Sequence, residues 1–72
     1  MDPSIIDTSQ ALGATIRRRR LELGLSQGDL ADVARTTLRF ISELENGKSS
    51  AQLAGVLRVL AALGIELVAR PR

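Results

Sequence analysis

The sequence contains no cysteine, no histidine, no tryptophan and no tyrosine, and phenylalanine occurs once. The lack of cysteine excludes a disulfide framework, a thiolate metal site and a thiol redox switch, and the lack of histidine removes the commonest metal ligand. We therefore expect neither a metal nor any other cofactor. With one aromatic side chain, the core has to be filled by leucine, isoleucine, valine and alanine.

Long apolar runs are also missing. No stretch of about eighteen apolar residues occurs, and the N-terminus has no positive segment followed by an apolar run, so we expect neither a membrane span nor export. A reducing cytoplasm is the expected location. An enzyme is disfavoured as well, because the chain has no glycine-rich phosphate loop and no acid pair beyond what ion pairing explains.

A short helix is predicted soon after Gly24. Ser26 can cap it, because a serine hydroxyl accepts from the free amides of the first turn, and Asp29 suits the positively polarised end. Three residues recur on its predicted inner face: Leu30, Val33 and Ala34.

A second short helix is predicted after a tight turn at 35–36. Thr37 can cap this helix, which runs over 38–46 and ends at Gly47. Two helices joined in this way form a helix-turn-helix, in which the early outer part of the second helix enters the major groove of DNA. The residues on that part are Thr37, Leu38, Arg39, Ser42 and Glu43.

Another helix is predicted before this pair, over about 9–23. Its buried stripe is expected to consist of Leu12, Ile16 and Leu23. Arg20 follows Ile16 by four residues and points to the same side, so it needs an acidic partner. It ends a run of four arginines, whose other members are candidates for DNA phosphates or for solvent: Arg17, Arg18 and Arg19.

A last helix is predicted after Lys48, with a cap at 49–50 and an end at Gly64. Its apolar residues recur at three- and four-residue steps and are expected in the core: Leu53, Val56, Leu57, Leu60 and Leu63. The alternation over 65–69 indicates a short strand. Because a lone strand has no partner within the chain, we expect it to pair with a second copy across a two-fold axis through Ile65, Leu67 and Val68.

The same residues carry a family resemblance. The patterns L-G-x-x-I-R-x-x-R-x-x-x-G-L-S-Q-x-x-L-A and I-S-x-L-E-N-G-K resemble the Cro/repressor-type (Xre) helix-turn-helix, over about half the chain. The following A-Q-L-x-x-V-L-R-V-L-A-A-L-G-I-E-L resembles the small HipB-type antitoxins, which repress their own operon and bind a HipA-type kinase toxin. One departure is Arg35, where the family usually has glycine; a left-handed arginine there costs on the order of 1 kcal/mol.

The expected fold is therefore all-α with a short C-terminal strand, a lambda-repressor-like helix-turn-helix bundle of about four helices whose strand pairs across a homodimer. Four segments are predicted: a flexible N-terminal arm over 1–8, the helix-turn-helix DNA-binding domain over 9–63, the dimerisation strand over 64–69 and a basic tail over 70–72.

The resemblance also implies roles for single residues. It pairs Arg20 with Glu45 as a structural ion pair. Gln27 opens a helix whose free amides favour an anion, and it is expected at a DNA phosphate, although it could also merely cap its helix. The full set of expected phosphate contacts is Arg17, Ser26, Gln27, Ser42, Asn46 and Lys48.

For base reading, Arg39 is the strongest candidate, because an arginine donates two parallel hydrogen bonds to guanine O6 and N7. Thr37 and Leu38 are expected at thymine methyl groups. Glu43 either accepts from cytosine N4 or is solvated.

The function expected from the sequence is a sequence-specific transcriptional repressor that binds double-stranded DNA at a palindromic operator as a homodimer, as the antitoxin of a HipA/HipB-like operon. Two alternatives stay open. One is a protein-interaction module that neutralises a HipA-like kinase toxin, with DNA binding secondary; the other is a generic Xre regulator without a toxin. A membrane-active peptide, suggested by the arginine run alone, is disfavoured by the capped helices.

Overall fold

The computed structural model describes residues 5–72, and over this range the chain forms four α-helices. In chain order they are α1 Ser9–Glu22, α2 Gln27–Ala34, α3 Leu38–Glu45 and α4 Leu53–Ala62. The prediction of an all-helical bundle of about four helices is confirmed. Residues 1–4 of the expected N-terminal arm lie outside the described residues. Within 5–72, no helix is long and apolar enough to cross a membrane.

Three of the four helices begin at a side-chain cap. The Thr37 hydroxyl accepts from the Phe40 amide at 3.0 Å, and Ser26 forms a full capping box in which it accepts from the Asp29 amide while the Asp29 carboxylate accepts from the Ser26 amide. The predicted cap of α4 at 49–50 is wrong. The chain turns there and stays extended through Gln52, which precedes α4 without a side-chain cap, so the helix starts later than the local signal predicts.

The turn between α2 and α3 is closed by an unusual residue. Arg35 lies in the left-handed region (φ 57°, ψ 49°), and it is the only non-glycine residue with positive φ over 5–72. The next amide, of Thr36, donates to the Ala31 carbonyl at 2.9 Å and so satisfies a free carbonyl at the end of α2. This conformation sets the angle at which α3 leaves the turn.

The core lies where α2 meets α3 and α4 and where α1 packs against α3. It consists of ten buried apolar residues, Ile16, Leu30, Ala31, Ala34, Ile41, Leu44, Val56, Val59, Leu60 and Leu63. Phe40 packs against it from the edge.

Four residues predicted for the core are exposed: Leu23, Val33, Leu53 and Leu57. Leu23 is the C-cap residue of α1, just after the helix ends. The buried face of α2 is centred on Leu30 and Ala31, which turns Val33 to the outside. In α4 the buried row includes Val59, which the periodicity analysis missed.

The segment after Gly64 has no helix or strand in the single chain over 65–72. Ile65 packs against the core, whereas Leu67 and Val68 are 67% and 72% exposed. A strand at 65–69 and its pairing with a second copy therefore stay predictions, since the strand needs a partner to form.

Candidate nucleic-acid interface

The two faces of α3 have opposite roles. Ile41 and Leu44 are buried against the core, while Leu38 and Arg39 at the start of the helix are exposed. Thr37, the cap residue, is exposed as well. The helix is thus fixed from behind and leaves its N-terminal outer face open to a ligand.

The C-terminal end of α3 is held by a buried ion pair. Arg20 donates to both carboxylate oxygens of Glu45, from Nε at 2.6 Å and from Nη2 at 3.0 Å, and its Nη1 donates to the Leu25 carbonyl at 2.8 Å. The side chains are 9% and 3% exposed. The structure therefore brings Arg20 and Glu45, expected to pair from the family resemblance, into direct bidentate contact between α1 and α3.

A third side chain completes this cluster. Gln27, at the start of α2, donates from Nε2 to Glu45 Oε1 at 3.1 Å. Burial alone would raise the pKa of Glu45, but the hydrogen bonds from Arg20 and Gln27, with the nearby charge of Arg17, hold its pKa below the ordinary value. The hydrogen bonds to Glu45 in turn raise the pKa of Arg20. Glu45, at the end of α3, therefore accepts hydrogen bonds from the last turn of α1 and from the start of α2.

Close approach of backbones makes this contact between α1 and α3 possible. A Cβ atom at Gly13 would lie 2.4 Å from the Leu44 carbonyl oxygen and 2.7 Å from that of Glu45. Because both neighbours are backbone atoms that cannot move aside, glycine is required at this position. The contact brings Arg20 within reach of Glu45.

The four consecutive arginines have different surroundings. Arg17 and Arg18 are exposed on α1. Arg19 donates from Nε to the Leu63 carbonyl at 3.0 Å, and so binds a free carbonyl at the end of α4. Arg58 does the same for α2, donating to the Ala34 carbonyl at 3.2 Å. Sequence reasoning missed these two roles; the general preference of cations for helix C-termini is the only signal that indicates them.

A second charged cluster lies on the outer face of α3. Arg39 donates from Nε to Glu43 Oε1 at 2.8 Å, and Lys48, just beyond the helix, donates to Glu43 Oε2. The hydrogen bonds from Lys48 and Arg39 lower the pKa of Glu43 below its ordinary value. Three residues expected to contact DNA therefore form one ion-paired group.

The remaining expected DNA contacts differ in exposure. Ser26 is exposed, although its hydroxyl is already used in the capping box. Ser42 is half-buried on α3, and Asn46 is exposed at the helix end. No group of three or more histidine, cysteine, aspartate or glutamate side chains that could hold a metal occurs within residues 5–72.

Comparison with known proteins agrees with this geometry. The HTH_3 helix-turn-helix family model matches residues 16–69. The uncharacterized HTH-type transcriptional regulator y4mF of Sinorhizobium fredii (strain NBRC 101917 / NGR234) is 47% identical over 62 residues, covering 86% of this chain and 82% of the relative.

Solved structures of HipB have the same fold. HipB in the HipB-O4 20mer complex matches with a TM-score of 0.87 at 20% identity, covering 96% of this chain and 97% of that one. The structure of the HipA-HipB-O2-O3 complex gives the same TM-score, identity and coverage. At this identity the likeness concerns the fold alone. On the family match and the close relative, the chain belongs to the HTH_3 family of Xre-type helix-turn-helix transcriptional regulators.

Proposed function

We propose that this regulator is a sequence-specific repressor that reads a palindromic operator with α3. One observation carries the proposal: α3 is anchored by Ile41, Leu44 and the Arg20–Glu45 pair, and its exposed N-terminal face presents Leu38 and Arg39. To read the major groove, a helix has to be packed against the protein core on one side while its N-terminal residues on the other side stay free to contact bases.

Within this proposal the contacts divide into two kinds. Base edges are read by Thr37, Leu38 and Arg39, and phosphates are held by side chains on α1, at the start of α2, and on and just after α3. The expected phosphate contacts are Arg17, Ser26, Gln27, Ser42, Asn46 and Lys48. Gln27 would reach its phosphate from a position already supported by Glu45. Phosphate contacts set the register, and the base contacts select the sequence.

A homodimer is the second part of the proposal. Leu67 and Val68 are largely exposed at the end of a 72-residue chain, and Ile65 packs against the core beside them. Pairing of 65–69 between two copies would satisfy the strand edges and cover these side chains. Two-fold symmetry then requires half-sites about 34–36 Å apart, or a multiple of this.

Repression would follow from occupancy. A dimer bound at an operator that overlaps a promoter excludes RNA polymerase, so no chemical step by the protein is needed. The regulator family is not an enzyme family.

The narrower proposal is an antitoxin in a HipA/HipB-like operon. It is supported by the fold, which matches HipB over nearly the whole of both chains, and one of the matched structures is a HipA-HipB-O2-O3 complex. The corresponding partner of this chain would be a HipA-like kinase toxin. A kinase-type gene beside this one would favour the antitoxin, and its absence would favour a generic Xre regulator.

Selection from a pool of random duplex DNA at about physiological salt tests the proposal, because sequence-independent binding is weak under these conditions. We expect enrichment of a palindrome, and a dimer in sedimentation of the free protein. An enriched single half-site would contradict the dimer. A pool without enrichment would leave the protein-interaction module, with toxin binding as its main activity, as the better account.

A further inference from the structure

Glu43 has an unusual position for a residue on a DNA-reading face. It is an acid, and a carboxylate near phosphates is repelled by them. Yet Glu43 lies one turn after Arg39 on α3, with a side chain that is 31% exposed, whereas that of Arg39 is 87% exposed. The acid therefore lies behind the arginine, closer to the body of the protein.

The hydrogen bonds of Glu43 use both of its oxygens. Oε1 accepts from Arg39 Nε at 2.8 Å, and Oε2 accepts from Lys48 Nζ. The two cations are thus held on either side of one carboxylate. Together they leave this group with one net positive charge, and neither oxygen stays without a donor.

The bond to Arg39 is made through Nε and leaves the far end of the guanidinium open. Within residues 5–72 neither terminal nitrogen of Arg39 donates a hydrogen bond. These two nitrogens form the planar fork that donates to guanine O6 and N7. A side chain held in one orientation also loses less conformational entropy when it binds.

We propose that Glu43 is a positioning residue that determines specificity by orienting Arg39 toward guanine, and that it contacts no base itself. This inference rests on the proposed reading of DNA by α3. It differs from the sequence-based expectation that Glu43 accepts from cytosine N4: both carboxylate oxygens already accept from cations of the protein, Arg39 and Lys48, and the experiment below distinguishes the two roles. Lys48 is held by the same carboxylate beside the end of α3.

The test is the base preference of the full-length protein at each operator position, measured by competition binding with single-base variants of the site selected by the wild type. In Glu43→Ala we expect the guanine preference at the base pair that Arg39 reads to fall at least about tenfold, and we expect the same fall in Arg39→Ala. The double variant should lose no more than Arg39→Ala alone. Affinity for a scrambled duplex should stay equal or rise, because a negative charge is removed.

Glu22→Ala is the matched control. It removes the same charge at the end of α1, where Glu22 pairs within residues 5–72 only with Arg19, at 3.7 Å, and it should leave the preference unchanged. Glu43→Gln keeps one acceptor oxygen and should retain an intermediate preference. Thermal unfolding of each variant, followed by circular dichroism, separates lost orientation from lost folding.

Four results would overturn the inference. If Glu43→Ala changes the preference at a different base pair and adds to Arg39→Ala, Glu43 reads a base itself. If operator and scrambled duplex weaken equally, Glu43 has a structural role. A wild-type protein without any sequence preference would remove the proposed function and this inference with it, whereas a preference that survives Glu43→Ala removes only the inference.

Discussion

Removing the Arg20 side chain should destabilise the protein more than any exposed substitution. In Arg20→Met, Glu45 keeps only Gln27 as a donor among residues 5–72, and its side chain, 3% exposed, becomes a nearly isolated buried charge. Breaking one partner of such a pair costs about 3–5 kcal/mol. A domain of 72 residues has roughly 4–11 kcal/mol of total stability at about 0.05–0.15 kcal/mol per residue. The thermal midpoint should therefore fall by more than about 10 °C.

The double variant Arg20→Met, Glu45→Leu removes both charges and should recover most of this loss. The desolvation cost of the pair disappears with the charges, and two apolar side chains can pack in their place. The Leu25 carbonyl and the Gln27 amide lose a partner, which costs about 1 kcal/mol each where water cannot replace it. We expect the double variant to lie between the wild type and Arg20→Met.

Thermal and urea unfolding, followed by the helical circular dichroism signal at one fixed protein concentration, measure these differences. Arg18→Met is the control, because Arg18 is the exposed neighbour in the same run and should change the midpoint little. The reasoning is refuted if Arg20→Met and Glu45→Leu each unfold at the wild-type temperature.

The same pair gives a pH dependence with a defined sign. The pKa of Glu45 is lower in the folded protein than its ordinary value, so this carboxylate contributes stability above the ordinary glutamate pKa of about 4.3. That contribution is lost as the pH falls through the lowered value. Asp29 and Glu43 have lowered pKa values too. The contribution of Glu45 is therefore measured as the free energy of unfolding of the wild type minus that of Glu45→Gln at each pH. A difference that stays constant from pH 7 to strongly acid pH would contradict the assignment.

Three further substitutions test the backbone and the C-terminal segment. Arg35→Gly should stabilise the protein by up to about 1 kcal/mol, because glycine adopts the left-handed conformation without strain. Arg35→Ala keeps a Cβ atom and should not stabilise it. An equal gain in both variants would mean that the loss of the arginine charge, and not the backbone conformation, is the cause. Gly13→Ala should destabilise by about 1–3 kcal/mol through its clash with backbone oxygens, while Gly28→Ala, whose Cβ would meet only the Ser26 hydroxyl at 3.8 Å, should stabilise slightly in the same urea titration. Deletion of 65–72 should give a monomer or an insoluble chain, and a truncated protein that sediments as a dimer would remove the proposed pairing.

The helix-turn-helix could be predicted because its signals are local. Ser26 and Thr37 cap helices within three residues of themselves, and Gly47 ends α3 through its own positive φ. These signals depend on short stretches of backbone and not on the rest of the fold. They placed α2 and α3, and with them the face that would meet DNA.

The wrong predictions concern features that depend on tertiary packing. A helix of eight residues offers more than one plausible inner face, and contact of α2 with both α3 and α4 selects Ala31 over Val33. The start of α4 is likewise decided by the path of the chain after the turn at 49–50. Local periodicity and cap preferences carry no information on either choice.

The hydrogen bonds between distant segments were the least accessible from the sequence. Arg19 meets the Leu63 carbonyl across a separation of 44 residues. The contact of Gln27 with Glu45 likewise joins the start of α2 to the end of α3. The expectation that Arg20 pairs with Glu45 came from the family resemblance and not from spacing, because no periodic pattern connects α1 with the end of α3.

The most direct test of the account is the binding of wild type and Arg39→Ala to the selected operator and to a scrambled duplex, by fluorescence anisotropy at fixed salt. If the exposed face of α3 reads sequence, Arg39→Ala should lose about 1–3 kcal/mol of binding free energy per half-site on the operator. Its affinity for the scrambled duplex should fall only by the small effect of one fewer cation. Equal losses on both duplexes, or no loss on the operator, would contradict the claim that α3 selects the site.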